Sequence, residues 1–128
     1  MNTVQTLSAP LGRLLIALIF VISGVGKLGS YAGTQGYMET MGVPGALLAP
    51  VIALEVLGGL AIILGWQTRL VAFLLAGFCI VSAVLFHGNI GDQMQQIQFL
   101  KNLGLAGGFL FLVAHGAGAW SLDNRRSA

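Results

Sequence analysis

The residue with the clearest chemical potential in this sequence is a glutamate inside a long apolar segment. Glu55 lies near the middle of residues 46–65, which otherwise hold aliphatic residues, alanines, glycines and one proline. An unpaired acid at the centre of a membrane-spanning helix costs about 2.5 to 3.5 kcal/mol on insertion scales, so such a residue is expected to pair, to protonate or to face a wet cavity. Glu55 is therefore our first candidate for a ligand or proton site.

Four other polar residues lie near the ends of neighbouring apolar segments, where they can join Glu55 if the segments form a bundle. These are Lys27, His87, Lys101 and Asn102. Lysine reaches a buried acid along its flexible stem, and the histidine ring and asparagine amide can each donate and accept hydrogen bonds. We predict that the five residues form a ligand or proton site.

The sequence leaves open which basic residue pairs with Glu55. At a rise of about 1.5 Å per helical residue, Glu55 lies on the order of 10 Å along the membrane normal from either Lys27 or Arg13. We favour Lys27 together with Lys101, because His87 and Asn102 can then complete the network. The alternative interpretation is a structural buried salt bridge that only fixes the register of the helices.

The composition excludes a water-soluble domain. Of the 128 residues, 56% are hydrophobic and only 8% are charged, whereas a soluble domain carries about 25% charged residues. The six basic and four acidic side chains cannot cover the surface of a domain of this size, so the lipid bilayer must solvate the rest. The basic residues are scattered along the chain, so no nucleic-acid partner is predicted.

Cysteine and histidine do not supply the ligands that a disulfide or a metal site needs. Cys79 is the single cysteine, which excludes an internal disulfide and a multi-cysteine metal site. His87 and His115 fall toward opposite ends of the predicted bundle, roughly 20 Å apart at the helical rise, so they cannot bind one metal or haem together. No metal site is predicted.

Four apolar segments are long enough to cross a bilayer as helices. They lie at about residues 11–28, 46–65, 70–86 and 99–120, and a helix needs about 20 residues to cross. Their short connections favour one all-α domain over residues 1–128, an integral membrane four-helix bundle. A short interfacial helix and an ordered loop both fit the first connection. Asp92 is placed to cap a helix that begins near Gln93, and Gln95, at the third position of that helix, is placed to complete a capping box.

Each predicted helix has a narrow face of small or polar residues and a broad face of large aliphatic residues. Lipid tails solvate the aliphatic faces, so we expect the narrow faces to point inward. Gly24, Gly58 and Gly59, and the pair Gly104 and Gly108, are predicted to let helix backbones approach closely. The inward face predicted for the first helix is Arg13, Ala17, Phe20, Gly24 and Lys27, and that for the second is Val51, Glu55, Gly58 or Gly59, and Ile62. For the third helix it is Ala72, Ala76, Cys79, Ala83 and His87 or Phe86, and for the last it is Lys101, Gly104, Gly108, Phe111 or Leu112, and His115.

The basic residues predict how the chain is oriented in the membrane. With four spans, both termini and the middle turn share one side, which collects Arg13, Arg69, Arg125 and Arg126. The other side holds only Lys27 and Lys101. The positive-inside rule therefore predicts that both termini are cytoplasmic.

A set of short motifs runs through about residues 11–123: Arg13, Phe20, Gly24 and Lys27; LEVLGG around Glu55; Gly65 with Thr68 and Arg69; LFH ending at His87; Lys101 with Asn102; and SLD at Ser121 to Asp123. In these motifs the chain resembles the DoxX family of small four-helix bacterial membrane proteins. The stretch YAGTQGYMETMGVPG further resembles the YqjF-like branch. The resemblance implies a multi-pass protein of the bacterial inner membrane. Some DoxX relatives are membrane subunits of thiosulfate:quinone oxidoreductases or assemble with redox and sulfur-transfer proteins.

Three function classes are compatible with these features. The first is an accessory subunit of a redox or detoxification system that holds a quinone-type pocket and has redox proteins as partners. The alternative is a non-catalytic assembly or interaction protein, for which a homodimer through exposed aromatic and GxxxG faces is a fitting form. A small transporter ranks third, because only one acid is buried and a proton relay needs several ionisable groups. No catalytic residue and no stand-alone enzyme activity are indicated.

Overall fold

The computed structural model describes residues 3–88 and 91–127, with side chains described as far as residue 124. Six α-helices and one 3-10 turn lie in these residues, and no strand does. Their bounds are α1 Thr3–Gly29, α2 Tyr31–Thr40, the 3-10 turn Gly45–Leu47, α3 Leu48–Leu64, α4 Thr68–Phe86, α5 Gln93–His115 and α6 Leu122–Ser127. The first connection is therefore helical, which decides between the two forms that the sequence allowed.

The described residues contain four helical spans that are long and apolar enough to cross a membrane. The first is α1, the second is the 3-10 turn continued by α3, the third is α4 and the fourth is α5. Large aliphatic and aromatic side chains lie on their outer faces, and Leu57, Phe73 and Phe111 are more than half exposed. Such a surface is stable only when lipid tails solvate it. The all-α membrane bundle predicted from the sequence is confirmed.

The bundle is built from two helical pairs that meet at an aromatic cluster. α1 packs along α3, α4 packs along α5, and a tight turn after α3 joins the pairs. The Phe20 ring of α1 lies edge-on, with its centroid 5.4 Å from that of Phe109 of α5 and 6.4 Å from that of Phe78 of α4. Alanines fill the space beside these rings, so the helices can approach; they are Ala17, Ala72, Ala76 and Ala106.

Glycines hold α1 and α3 at close distance, as predicted. A Cβ added to Gly24 would lie 2.6 Å from Cγ2 of Val56, and one added to Gly59 would lie 2.7 Å from Cγ2 of Val21 and 3.3 Å from a backbone oxygen of α1. The contacts of 2.6 Å and 2.7 Å are shorter than real Cβ contacts, so a larger residue at Gly24 or Gly59 would push the helices apart. Gly58 differs, because a Cβ there would make ordinary contacts at 3.5 Å.

The inward faces predicted for the first three spans are observed, whereas the one predicted for the last span is wrong. Gly104 is exposed and nothing lies within 4 Å of where its Cβ would be, although Gly108 packs against Ile16. Ala106 and Phe109 are the buried residues of α5 instead, a rotation of about 100°, or one residue. Phe109 turns inward because it packs against Phe20, and this aromatic contact outweighs a seam of glycines. The other exposed residues of the predicted face are Lys101, Phe111 and His115.

The bounds of α5 also differ from the predicted span. Its start is set by Asp92, whose Oδ1 accepts a hydrogen bond from the backbone N–H of Met94 at 3.0 Å, as the sequence predicts. The helix ends at His115 rather than at residue 120, because Gly116 and Gly118 have φ angles of 76° and 93°. Such positive angles stop an α-helix and favour glycine.

A buried arginine closes the end of the bundle that holds both termini. Arg13 is 2% exposed. Its Nη1 donates to the carbonyl oxygens of Ile62 at 3.2 Å and Ile63 at 2.8 Å, and its Nη2 donates to the carbonyl oxygen of Trp120. The last carbonyls of a helix have no partner within that helix. Arg13 thus caps α3 and holds the segment after α5 against it, which accounts for its structural role.

The orientation of the bundle in the membrane stays a prediction. Arg13 and Arg69 lie at the same end as the termini, which agrees with the sequence argument. Two of the residues on which that argument rests, Arg125 and Arg126, have side chains outside the described part of the chain. The end that holds Lys27 and His87 is therefore called the Glu55 end below, with no side of the membrane assigned.

Two neighbouring glycines provide a matched test of the α1–α3 contact. We expect Gly59→Ala to lower the free energy of unfolding by about 1 to 3 kcal/mol, the usual cost of overpacking. Gly58→Ala is the control, and it should be neutral or stabilising by up to about 1 kcal/mol, because alanine favours the helix. Equilibrium unfolding in mixed detergent micelles measures both. Equal effects of the two substitutions would show that close approach at Gly59 is not needed.

Candidate functional site

A cavity of about 170 Å³ lies at the Glu55 end, where the two helical pairs meet. All five residues predicted as a ligand or proton site line it, so residues far apart in the sequence are brought to one place. We refer to it as the Glu55 cavity. Its lining consists of Ile19, Phe20, Ser23 and Lys27 of α1, Glu55 of α3, Phe78, Cys79 and Ser82 of α4, His87, and Gln98, Lys101, Asn102 and Leu105 of α5.

Glu55 pairs with Lys27, which answers the question that the sequence left open. Lys27 Nζ lies 2.7 Å from Glu55 Oε1 and also donates to Ser23 Oγ at 2.7 Å. The glutamate is 3% exposed and the lysine 27%. Gly24 makes this geometry available, because without a side chain it lets α3 approach α1 next to Lys27. Arg13 is bound to backbone carbonyls at the opposite end.

The wall opposite the ion pair carries donors with no ionic partner. Lys101 is exposed and Asn102 half-buried on α5. In the residues that the structure describes, the one ion pair is that of Lys27 and Glu55, so the Lys101 ammonium has no carboxylate within ion-pair distance. These two side chains can therefore donate to a ligand without first losing a strong protein contact.

His87 is held by a residue that the sequence argument assigned differently. Its Nδ1 lies 2.8 Å from Oε1 of Gln95, and the ring nitrogen is the donor because an amide oxygen only accepts. Gln95 was expected to complete a capping box at the start of α5. Its bond to His87 instead connects the end of α4 to the first turn of α5 and orients the imidazole at the mouth of the Glu55 cavity.

Several lining residues were not singled out from the sequence. Ser23 lies four residues before Lys27, and Gln98 lies four residues before Asn102, so each shares a helix face with a predicted site residue. That spacing was a usable signal. Phe78 and Ser82 carried no comparable signal, because their positions depend on how α4 turns toward α1, which only the packing of the aromatic cluster decides.

The inner part of the cavity is apolar, and no metal site accompanies it. Phe20, Phe78, Cys79 and Leu105 form this part of the lining. Across the described residues, no group of three or more histidine, cysteine, aspartate or glutamate side chains could hold a metal ion. The arrangement combines an apolar floor, one carboxylate paired with an ammonium, and two free donors, which suits a small flat ligand with polar groups at its edges.

The four spans and this cavity, which is lined partly by charged and polar side chains, define a small multi-pass membrane protein. The chain belongs to the DoxX family, whose sequence profile matches residues 9–88. It is similar to the Inner membrane protein YqjF of Escherichia coli (strain K12), with 46% identity over 123 residues that cover 96% of this chain and 95% of the relative. These findings confirm the family resemblance and make the chain an inner-membrane protein.

Two further relatives extend the comparison. The Inner membrane protein YphA of Escherichia coli (strain K12) is 38% identical over 122 residues, covering 90% of this chain and 87% of the relative. A protein of Bacillus subtilis (strain 168) named "Putative oxidoreductase CatD" is 29% identical over 76 residues, covering 59% of this chain and 57% of the relative. No solved structure matches the chain.

The two partners of the ion pair differ in burial, so replacing one or the other should change the stability of the protein by different amounts. We expect Lys27→Met to cost about 3 to 5 kcal/mol, because it leaves the buried carboxylate of Glu55 without a counter-ion. Glu55→Gln should cost less, about 1 to 2 kcal/mol, since the partly exposed ammonium can turn outward and keep its bond to Ser23. Thermal or denaturant unfolding in detergent measures both.

Two further variants complete this test. Lys101→Met is the matched control, because it removes a lysine that has no ion-pair partner in the described residues, and it should stay within about 0.5 kcal/mol of the wild type. The double variant Lys27→Met/Glu55→Gln should regain part of the stability lost in Lys27→Met. If Lys27→Met is no less stable than Lys101→Met, the ion pair does not stabilise the fold.

Proposed function

We propose that this protein is an accessory membrane subunit of a redox or detoxification system and that it binds a quinone-type ring in the Glu55 cavity. The observation that supports this most directly is the convergence of Lys27, Glu55, His87, Lys101 and Asn102 on one cavity inside an otherwise apolar bundle. Intramembrane ionisable residues are rare and mark functional sites by default.

The size and floor of the cavity favour a single ring. Its volume is about 170 Å³, and apolar protein cavities of roughly 150 Å³ bind benzene. The Phe20 and Phe78 rings and the Cys79 thiol form a surface against which a flat ring can pack. A long isoprenoid tail does not fit in this volume, so it would remain among the lipid tails outside.

The polar groups match both redox forms of such a ligand. A quinone has carbonyl oxygens that accept hydrogen bonds, and the ammonium of Lys101 and the amide of Asn102 can donate them. A quinol has hydroxyl groups that donate, and the second carboxylate oxygen of Glu55 can accept because Lys27 is paired with Oε1. The cavity can thus hold the ligand before and after a two-electron reduction that takes place elsewhere in the system.

Relatives and exposed surface support the accessory role. One relative is named as an oxidoreductase, which favours a redox setting. α5 is the least buried of the four spans: 11% of the residues in its most apolar stretch are buried, compared with 33% for the span that contains α3. A redox protein partner bound to this exposed face would cover it and lie next to Lys101, at the mouth of the Glu55 cavity.

The alternative is a non-catalytic assembly protein in which the charged residues only lock the helices. Its supporting observation is that Glu55 is already satisfied by Lys27, which is in turn bonded to Ser23. Under this alternative the exposed face of α5 around Gly104 would carry the function, as a contact with a partner or with a second copy. A transporter has no comparable support, because Glu55 is the one buried acid among the described residues.

Quinone binding by one asparagine variant separates the two functions. We expect Asn102→Leu to weaken binding of ubiquinone-1 to the protein in lipid nanodiscs about tenfold, the usual effect of one lost hydrogen bond in a closed site. Gln96→Leu is the control, since Gln96 is an exposed amide on the same helix that does not line the cavity. Equilibrium titration measures the affinities, and a photoreactive quinone maps the labelled helices.

The outcomes point in different directions. Weaker binding in Asn102→Leu, with labelling on α1 and α5, supports the quinone site. Equal binding in Asn102→Leu, Lys101→Met and wild type would overturn it. If Gly104→Leu then reduces the recovery of a partner protein from native membranes while Asn102→Leu does not, the assembly function stands instead.

A further inference from the structure

A second, larger cleft lies at the opposite end of the bundle, beside the termini. Its volume is about 730 Å³, within the range of roughly 300 to 1,000 Å³ that is common for small-molecule sites. It opens between the first turn of α4 and the segment that follows α5. The lining residues used below are Gln67, Thr68, Arg69, Leu70, His115 and Asp123. None of them belongs to the Glu55 cavity, so this cleft is a separate site.

Arg69 supplies the cleft with a cation that has no ion-pair partner among the described residues. Its side chain is exposed and makes no hydrogen bond or ion pair with another described residue. The guanidinium lies against Gly116, where an added Cβ would sit 3.2 Å from Nε and 3.4 Å from Nη2. A guanidinium has five N–H donors in a planar fork that matches carboxylate or phosphate oxygens.

The cleft also contains a buried hydroxyl without a partner. Thr68 is 0% exposed and lines the cleft, and its Oγ1 has no hydrogen-bond partner among the described residues. A buried polar group left unpaired costs about 1 to 3 kcal/mol, and it commonly marks a place where water, an ion or a ligand binds. Thr68 is adjacent to Arg69 in the sequence, so the two donors lie on the same turn of α4.

The acid that lines the cleft does not neutralise Arg69. The carboxylate of Asp123 accepts hydrogen bonds from the backbone N–H groups of Gln67 at 2.7 Å and Thr68 at 2.8 Å, and so caps the N-terminus of α4. It also interacts electrostatically with the buried Arg13. The helix N-terminus is therefore occupied by the protein itself. Arg69 and His115 supply exposed donors to the cleft, and the Thr68 hydroxyl lies buried in its lining.

The position of the cleft places it at the level of the lipid headgroups. Trp66 is 46% exposed, Trp120 is 60% exposed, and both stand next to the cleft residues in the chain. Tryptophan is enriched where a membrane protein meets the headgroup layer. Leu70, which is 58% exposed, continues the lining toward the apolar face of α4. An occupant can thus have a polar part in the cleft and an apolar part along α4.

We propose that this cleft binds a phosphate oxyanion, carried by the headgroup of an anionic phospholipid or by a water-soluble phosphate ester. The Arg69 guanidinium binds two phosphate oxygens in bidentate fashion. The Thr68 hydroxyl donates to the same group, and the exposed His115 ring is an additional donor at the rim. The inference does not depend on the proposed quinone site, which lies at the other end of the bundle.

The test compares a phospholipid that has an anionic headgroup with one that has a zwitterionic headgroup. Delipidated protein in detergent is mixed with phosphatidylglycerol or with phosphatidylcholine of the same acyl chains, and native mass spectrometry counts the lipids retained. Wild type should retain phosphatidylglycerol about fivefold more than phosphatidylcholine, as expected for one cation near an anionic headgroup. Arg69→Gln should retain both lipids equally. Lys101→Gln is the matched control, because it removes one positive charge at the opposite end and should keep the preference.

Thr68→Val distinguishes a binding role from a structural one. It replaces the unpaired hydroxyl by a methyl group of similar shape, so without lipid the protein should unfold at the same or a higher temperature. With lipid, the retention of phosphatidylglycerol should fall about threefold to tenfold. A purely structural hydroxyl would give the opposite pattern, with lower stability and unchanged retention.

A second arm identifies the source of the phosphate. Glycerol 3-phosphate at millimolar concentration should raise the unfolding temperature and displace phosphatidylglycerol if the ligand is a soluble ester, and should do neither if the ligand is a lipid headgroup. Once the first arm has shown a preference for phosphatidylglycerol, either result names the occupant of the site. Equal retention of the two lipids by the wild type, or an unchanged preference in both Arg69→Gln and Thr68→Val, would overturn the proposal.

Discussion

The Lys27–Glu55 ion pair is the interaction on which the arrangement of the bundle most depends. In a bilayer no solvent compensates a buried carboxylate, so Glu55 requires a cation at contact distance, and Lys27 Nζ provides it at 2.7 Å. That contact is available only if α1 and α3 approach closely, which Gly24 and Gly59 allow. The same approach places Ser23 beside Glu55 and opens the Glu55 cavity against α4 and α5. The glycines, the ion pair and the cavity are thus one structural unit.

The two ends of the bundle use their cations in the same way. At each end one basic side chain is bound inside the protein: Lys27 by a carboxylate, and Arg13 by backbone carbonyls. A second one, Lys101 or Arg69, is exposed and has no ion-pair partner within the described residues. Burial makes the first cation of each pair part of the fold, because leaving its partners unpaired would be costly. The exposed cation stabilises little, so it is available to a ligand.

Sequence reasoning predicted this fold well where periodicity within one helix decides the outcome. The inward faces of α1, α3 and α4 follow from residues such as Arg13, Glu55 and Cys79 at helical spacing. It failed for α5, because two adjacent faces of that helix carry small residues, and only the contact between Phe109 and Phe20 selects one. The five candidate site residues were predicted to meet because Glu55 is an acid in the middle of its span and the other four are polar residues near the ends of theirs. The choice of Lys27 over Arg13 required the distance between α1 and α3, which no single segment encodes.

The position of the Glu55 cavity connects the two candidate functions. Its lining comes from both helical pairs, α1 with α3 and α4 with α5, so a bound ring would contact both and hold them in one relative position. Lys101 and Asn102 lie on α5, whose exposed face borders Lys101 and is the surface proposed for a partner. Binding shifts an equilibrium only by the difference in affinity between two states. A ligand that binds more tightly when α5 lies close to α1 would therefore favour that arrangement. It would also favour the corresponding position of the exposed face of α5, to which a partner would bind. In this way ligand binding and assembly can be two effects of the same helix contact.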